Sequence, residues 1–180
     1  MSVMAHAPDV VSEADVGSEA VAPELFRRVL GHFSTGVAVV SAMHQGEPVG
    51  LTMGSFFSVS LDPPLVGFCA AKTSKTWPGI KKAGHFCVNV LTADQEALCR
   101  QFAASGVDKF RGVSWTPTDG GAPRLANVLA WIDCEIEAMH DAGDHEICIG
   151  RVQNLGAMPS SQPLLFFRGQ YLASLARGAR

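Results

Sequence analysis

Val49-Gly50-Leu51-Thr52-Met53-Gly54-Ser55-Phe56-Phe57-Ser58-Val59-Ser60-Leu61-Asp62-Pro63-Pro64-Leu65-Val66 is the stretch on which the reading of this chain turns. Two glycines and the hydroxyls of Thr52, Ser55, Ser58 and Ser60 interrupt an otherwise strand-like apolar run. The run breaks at Asp62-Pro63-Pro64, because proline has no backbone donor and holds the residue before it extended. Such a run is either a strand with a glycine bulge and a solvated Ser/Thr face, or a strand-to-loop segment whose small residues leave room for a flat ligand and offer it N–H and O–H donors. Composition favours the first reading, and the remainder of the chain moves the balance to the second.

At 180 residues the chain suits one domain with a real core and is short for two. Only 17% of it is charged against 47% hydrophobic, which predicts covered surface and an oligomer interface. A net charge of −3 leaves no basic footprint for nucleic acid or an anionic membrane. No apolar run reaches membrane-spanning length, and the first residues lack the basic and apolar regions of a secretory signal. The five cysteines, Cys69, Cys87, Cys99, Cys134 and Cys148, form no CxxC pair and sit mostly in apolar runs, so reduced buried thiols in a cytoplasmic protein are expected. His85 and Cys87 could share a strand face, but no second pair stands at ligand spacing and no metal site is expected.

Residues 1–22 carry acids, small residues and no Lys or Arg, and read as a mobile acidic tail before a domain over 23–175. Pro23 opens a helix with Leu25, Val29 and Phe33 in line, and the chain turns at Ser34-Thr35-Gly36. Val37–Ala42, a turn at Gln45–Pro48 and the opening stretch read as a hairpin, and Leu65–Ala70 as a central strand. Thr73-Ser74-Lys75-Thr76 leads into a short helix over 78–83 that Gly84 ends. Its hydroxyls either cap that helix or, with free amides and nearby lysines, hold a phosphate. His85–Leu91 reads as a strand, Thr92 with Gln95 as a capping box for a helix through Phe102, and Ala103–Gly121, which carries Asp108-Lys109-Phe110, as a loop-rich stretch that is either an ordered lid or a surface loop. Ala130–His140 alternates, with Ile132, Cys134, Ile136 and Ala138 on one face and Asp133, Glu135 and Glu137 on the other. A turn at 141–144 returns it as His145–Val152, and Pro163–Tyr171 reads as one last strand. About six hairpin-spaced strands with few helices predict a mainly β antiparallel barrel with flanking helices. There is no GxGxxG unit after a strand, no Walker loop and no GxSxG elbow.

Phe33-Ser34-Thr35-Gly36-Val37, Gly50-Leu51-Thr52 through Ser55-Phe56, Ser60-Leu61-Asp62-Pro63-Pro64-Leu65-Val66, Phe86-Cys87-Val88-Asn89-Val90-Leu91, Gly143-Asp144-His145 and Pro163-Leu164 to Tyr171 occur in an order that resembles the short-chain flavin reductases serving two-component flavin monooxygenases. The resemblance spans roughly residues 24–172 and is nearest to the reductases of aromatic or phenolic-steroid hydroxylases. It implies a Greek-key, flavin-binding split β-barrel, a homodimer with the flavin near the subunit interface, and a separate oxygenase that receives reduced flavin. It implies FAD or FMN as flavin, and NADH, or alternatively NADPH, as hydride donor.

Carried over by position, the resemblance puts Thr35 and Gly36 at the flavin edge and Thr52, Met53, Gly54, Ser55 and Phe56 around the isoalloxazine, with Ser58 beside them. Ser74, Thr76 and Lys82 would take the phosphate. Phe86 and Asn89 would lie near the ribityl chain, and Phe110 would close over the site. Gly143, Asp144, His145 and Tyr171 would face the nicotinamide, with His145 as the catalytic candidate that orients it or balances charge. Many relatives carry Asn or Gln where Gly54 stands, so a side-chain contact would here pass to backbone or water. Two other readings fit a barrel: a non-catalytic flavin- or haem-binding protein, and an oxidase of a pyridoxine-type phosphate.

Overall fold

In the computed structural model, residues 21–158 and 162–172 are described; the tail read over residues 1–22 falls outside them except for Val21 and Ala22, as does the expected boundary at 175. Helix α1 (Pro23–Leu30) begins on its proline, as the pre-set φ allows, and is followed by a two-residue strand β1 (Thr35–Gly36). The expected turn at Ser34–Gly36 is thus partly a strand, held by pairing with distant residues that no local pattern reveals. Strands β2 (Ala38–His44) and β3 (Glu47–Met53) form the expected hairpin around Gln45 and Gly46, both at positive φ. After a break at Gly54–Phe56 come β4 (Phe57–Leu61) and β5 (Pro64–Ala71), joined at the Asp62–Pro63 turn.

Helix α2 (Trp77–Ala83) ends on Gly84, left-handed at φ 72°, and β6 (His85–Val90) follows. The Thr92–Gln95 capping box forms, with Gln95 accepting from the Thr92 amide, and leads through one 3-10 turn into α3 (Glu96–Ala103). The expected loop over 103–121 gives way to a small hairpin, β7 (Trp115–Pro117) with β8 (Pro123–Leu125). Long strands β9 (Ala130–Ala142) and β10 (His145–Ala157) turn tightly at Gly143–Asp144. The final expected strand is instead a hairpin, β11 (Leu165–Phe167) and β12 (Gln170–Leu172), around Arg168 and Gly169 at positive φ.

Seven strands form one antiparallel sheet in the order β3-β2-β6-β9-β10-β5-β4. The sheet curls until β3 touches β5 without pairing to it, leaving a split barrel with β3 and β4 as its free edges. The inside is filled by Val40, Phe68, Ile80, Phe86 and Val88, with Trp77 standing edge-on to Phe68. A second core lies outside β2, where Val37 and Val39 meet Leu91, Phe102, Leu125 and Leu164 under α3. Membership of the two cores alternates along β2, with Ala38, Val40 and Ala42 in the first and Val37 and Val39 in the second.

One expectation fails on β9, and one of its acids is buried. A register shift lets Ala138 pair with Ile149 and Ile136 with Gly150, so Glu137 is an extra residue and the alternation flips there. Ile132, Cys134, Ile136 and Met139 therefore share the inner core, and Ala138 leaves it. Asp133 is also not a solvated acid: it is fully buried and accepts from Thr118 Oγ1 at 2.7 Å and the Gly120 amide at 3.3 Å, pinning the turn that β7 and β8 flank.

Candidate active site

A cleft of about 730 Å³ opens where the edge strand β3 runs past the end of β5, the turn 73–76 and the loop after α3. Its polarity begins with the backbone. An edge strand bonds to one neighbour only, so every second residue turns its N–H and C=O away from the sheet. The Gly50 carbonyl is one of these, since it accepts a hydrogen bond from Lys109 Nζ at 3.2 Å. The strand's period of two then puts the main-chain N–H and C=O of Thr52 on the same side, bare and facing the cleft.

Side chains on this wall are mostly committed elsewhere. Thr52 Oγ1 donates to the Cys99 carbonyl at 2.9 Å, and Ser55 Oγ both donates to the Cys69 carbonyl at 3.1 Å and accepts from the Cys69 amide at 3.0 Å. These bonds fix the wall and spend its hydroxyl protons. Gly54 cannot carry a side chain without displacing Thr35, whose Oγ1 lies 2.8 Å from an added Cβ. Gly50 is packed against the Phe102 ring, 2.6 Å from where a Cβ would sit. The absence of a side chain at Gly50 and at Gly54 is therefore a consequence of packing on the far side of the strand.

The turn 73–76 presents the reverse pattern. Ser74 Oγ accepts from the Trp77 amide at 3.2 Å, and Thr76 Oγ1 accepts from Lys109 Nζ at 3.3 Å. Neither hydroxyl donates to any described residue, so each keeps a proton for a ligand.

His145 reaches the cleft from the first residue of β10, opposite Ala71 of β5. Its Nδ1 donates to Asp144 Oδ1 at 2.7 Å, which orients the ring and leaves Nε2 for a ligand. That bond and the histidine's charge hold the Asp144 carboxyl below the usual carboxylate range. Lys72 braces the same turn by donating to Asp141 at 2.5 Å and to the Gly143 carbonyl at 2.6 Å.

Of the residues expected at the site, Thr52, Met53, Gly54, Ser55, Ser74, Thr76 and His145 line this cleft. Thr35 stands behind Gly54, with Gly36 next to it in β1, and Gly143 and Asp144 form the turn that carries His145. Phe56 packs on the inner core, and Ser58 is exposed on β4. Phe86 is fully buried against Phe68 at 5.4 Å, inside the barrel rather than on the cleft. Asn89 is equally buried: its Nδ2 donates to Val39 O and Ser41 Oγ, and its Oδ1 accepts from the Leu125 amide at 2.8 Å, so it is a fastener between β2, β6 and β8. Phe110 stacks edge-on with Phe102 at 5.0 Å, under the loop rather than over the cleft. Tyr171 is tied to Cys99 Sγ at 3.2 Å and roofed by Arg100, and Lys82 is exposed on the last turn of α2; neither lines the cleft.

Lys109 was not anticipated. It is the only lysine after Lys82, set in a glycine- and serine-bearing loop beside Asp108, and that isolation was the one available signal.

The comparisons agree with this geometry. A family profile described as "Flavin reductase like domain" matches residues 30–174. The reductase subunit HsaB of a flavin-dependent monooxygenase from Rhodococcus jostii is 46% identical over 163 residues, covering 91% of this chain and 84% of that protein. Nitrilotriacetate monooxygenase component B from Mycobacterium thermoresistibile superposes with a TM-score of 0.80 at 45% identity, over 83% of this chain and 84% of that one. The NADH:FAD oxidoreductase SgcE6 of Streptomyces globisporus, solved with NAD and FAD fragments, gives 0.82 at 37% identity, over 90% and 100%. With the split barrel, the bare strand edge and His145 in its cleft, the chain belongs to the flavin reductase-like family.

Proposed function

We propose that this protein is an NADH-dependent flavin reductase that passes hydride to FAD or FMN and supplies the reduced flavin to a separate oxygenase component. The observation that carries the reading is the cleft itself: unpaired main-chain groups along β3, a donor-rich turn at Ser74–Thr76, and His145 at one rim. A tricyclic ring needs a flat surface with hydrogen-bonding groups at its edge, and the edge of β3 from Gly50 to Gly54 offers one, since Leu51 and Met53 pack on the inner core and Thr52 is bonded to Cys99. The relatives' names, which specify reductase subunits and NADH:FAD oxidoreduction, support the same reading.

When bound, the two cofactors supply the redox step themselves, hydride moving from nicotinamide C4 to flavin N5. The chain's part is placement. Thr52 and its neighbours offer amides to the ring edge and to the negative charge that gathers near N1. Ser74 and Thr76 offer their free hydroxyl protons to the flavin phosphate. His145, held by Asp144, orients the nicotinamide through Nε2. Met53 is buried and closes the floor against the barrel core.

The cleft also implies a second copy of the chain. Gly67, Cys69 and Ala71 of β5 face outward beside Ile147, Ile149 and His145 of β10. Phe57 and Val59 of β4 lie across Gly67, and each is 44% exposed. No helix covers this apolar face among the described residues, and it runs without a break into the cleft through Cys69, Ala71 and His145. A twofold partner seated there would wall the cleft and exclude water from it.

Mixing purified protein with NADH and either flavin should oxidise NADH and bleach the flavin, with flavin behaving as a diffusible substrate. No NADH oxidation with FAD or FMN overturns the reading. Flavin or haem retained through gel filtration with indifference to NADH would favour the storage alternative instead.

A further inference from the structure

We propose that the groove between the β7–β8 hairpin and the far ends of β9 and β10 is a second ligand site, which takes a planar aromatic carboxylate. The groove encloses about 560 Å³, the size of a small-molecule pocket. It lies well away from the cleft. Trp131, in the groove, pairs with Gly156 near one end of the β9–β10 ribbon, and Ala142 pairs with His145 at the other. At the rise of an extended strand, the two ends of β9 stand roughly 30 to 35 Å apart.

Two seated rings and one unpaired cation make up its walls. Trp131 lies against β10 because its pairing partner is a glycine: a Cβ on Gly156 would sit 2.8 Å from the indole Nε1. Arg124 lies over the same ring, with its Cζ 5.0 Å from the centroid. Trp115 is seated on the second core, edge-on to Phe110 at 6.4 Å. Arg124 donates from Nη2 to Thr116 Oγ1 at 3.2 Å and makes no ion pair among the described residues, so most of its donor fork is unspent. The indole N–H groups of Trp115 and Trp131 donate to no described residue, whereas Trp77 spends its own on Glu146 at 2.6 Å. No Asp or Glu lines the groove, and residues 159–161, which follow Met158 in sequence, carry no charge. A carboxylate answers a guanidinium fork with two oxygens, and an attached ring fills the space between the indoles and Met158. A bare phosphate would use the charge and leave the rings idle, and an uncharged aromatic would do the reverse.

The test follows the indole N–H resonances of the intact protein by nuclear magnetic resonance during titration with 2-naphthoate, with 2-naphthalenemethanol as the uncharged match. The variants W115F and W131F assign the signals. 2-Naphthoate should move the Trp115 and Trp131 signals, leave Trp77 in place, and bind about tenfold or more tightly than the alcohol. Saturating FAD should not displace it. R124Q should bring acid and alcohol to nearly equal affinity, and R124K should recover only part of the difference, because an ammonium lacks the planar fork. Acid and alcohol are compared on one sample, so their ratio does not depend on how much protein folds. Equal binding of the two by wild type, or an unchanged ratio in R124Q, overturns the proposal. So does displacement by FAD, which would put the ligand in the cleft, or the absence of any Trp115 and Trp131 shift at millimolar 2-naphthoate. The flavin reading of the cleft stands or falls separately, on NADH oxidation.

Discussion

Thr35 Oγ1 stands 2.8 Å from the point where a Cβ on Gly54 would be, so β1 reaches across the chain to keep the cleft wall bare. The two residues should behave as one unit. G54A forces Thr35 aside and should raise the flavin KM about fivefold, at a cost of about 1 kcal/mol. T35A makes room, so the double variant T35A/G54A should recover most of the loss. Equal effects of G54A with and without Thr35 would separate the pair.

Replacing His145 by Ala should raise the KM for NADH by about tenfold and that for flavin by much less, because the ring is held at the rim by Asp144 and not by the β3 wall. D144N keeps the shape but weakens the tie, so a smaller rise in the same direction is expected. Steady-state kinetics with each substrate varied in turn decides the matter; a flavin effect as large as the NADH effect would move His145 to the flavin.

Asn89 should prove a stability residue. Its side chain joins two strands of the main sheet to the Leu125 amide while fully buried, and N89L takes away that amide's acceptor and the donor to Val39 O and Ser41 Oγ. A loss of about 2 to 3 kcal/mol in denaturant unfolding is expected, with little change in flavin KM for the folded fraction. A selective flavin defect at unchanged stability would restore a contact to the ribityl chain.

I149E introduces a charge on the apolar face shared by β4, β5 and β10. Sedimentation should show a dimer for wild type and a monomer for the variant, with reductase activity falling in step. A wild-type monomer would remove the second copy from the account.

Acid should loosen the 141–146 region first. Hydrogen bonds from Lys72, His145 and Lys81 hold Asp141, Asp144 and Glu146, in that order, below the usual carboxylate range. A folded pKa below the unfolded one gives stabilisation that is complete above the ordinary carboxylate range and is lost as pH falls through the depressed values. The unfolding midpoint should therefore hold steady from neutral pH to about pH 5 and drop below about pH 4. A midpoint that rises on acidification contradicts the pairing.

Much of this was legible in the chain itself, for identifiable reasons. The β2–β3 hairpin, the Thr92–Gln95 cap, and the Gly84 stop are local devices, and each formed where its residues stand. The bulge at Glu137 was not legible, because an inserted residue leaves the apolar alternation looking intact until the register with β10 is known. Thr52, Gly54, Ser74, Thr76 and His145 were picked out by residue type and motif and do line the cleft. Phe86 and Asn89 lie in the same kind of motif yet are both buried, because β6 is covered on both faces, by the barrel core at Phe86 and by β8 at Asn89. Lys109 was missed since its partners Gly50 and Thr76 are remote in sequence and meet it only through loop closure.

The wall built on β3 speaks through peptide groups, and every amino acid except proline brings the same ones. The surface is thus set by the course of the strand and by what packs behind it, Phe102 behind Gly50 and Thr35 behind Gly54, more than by side-chain chemistry.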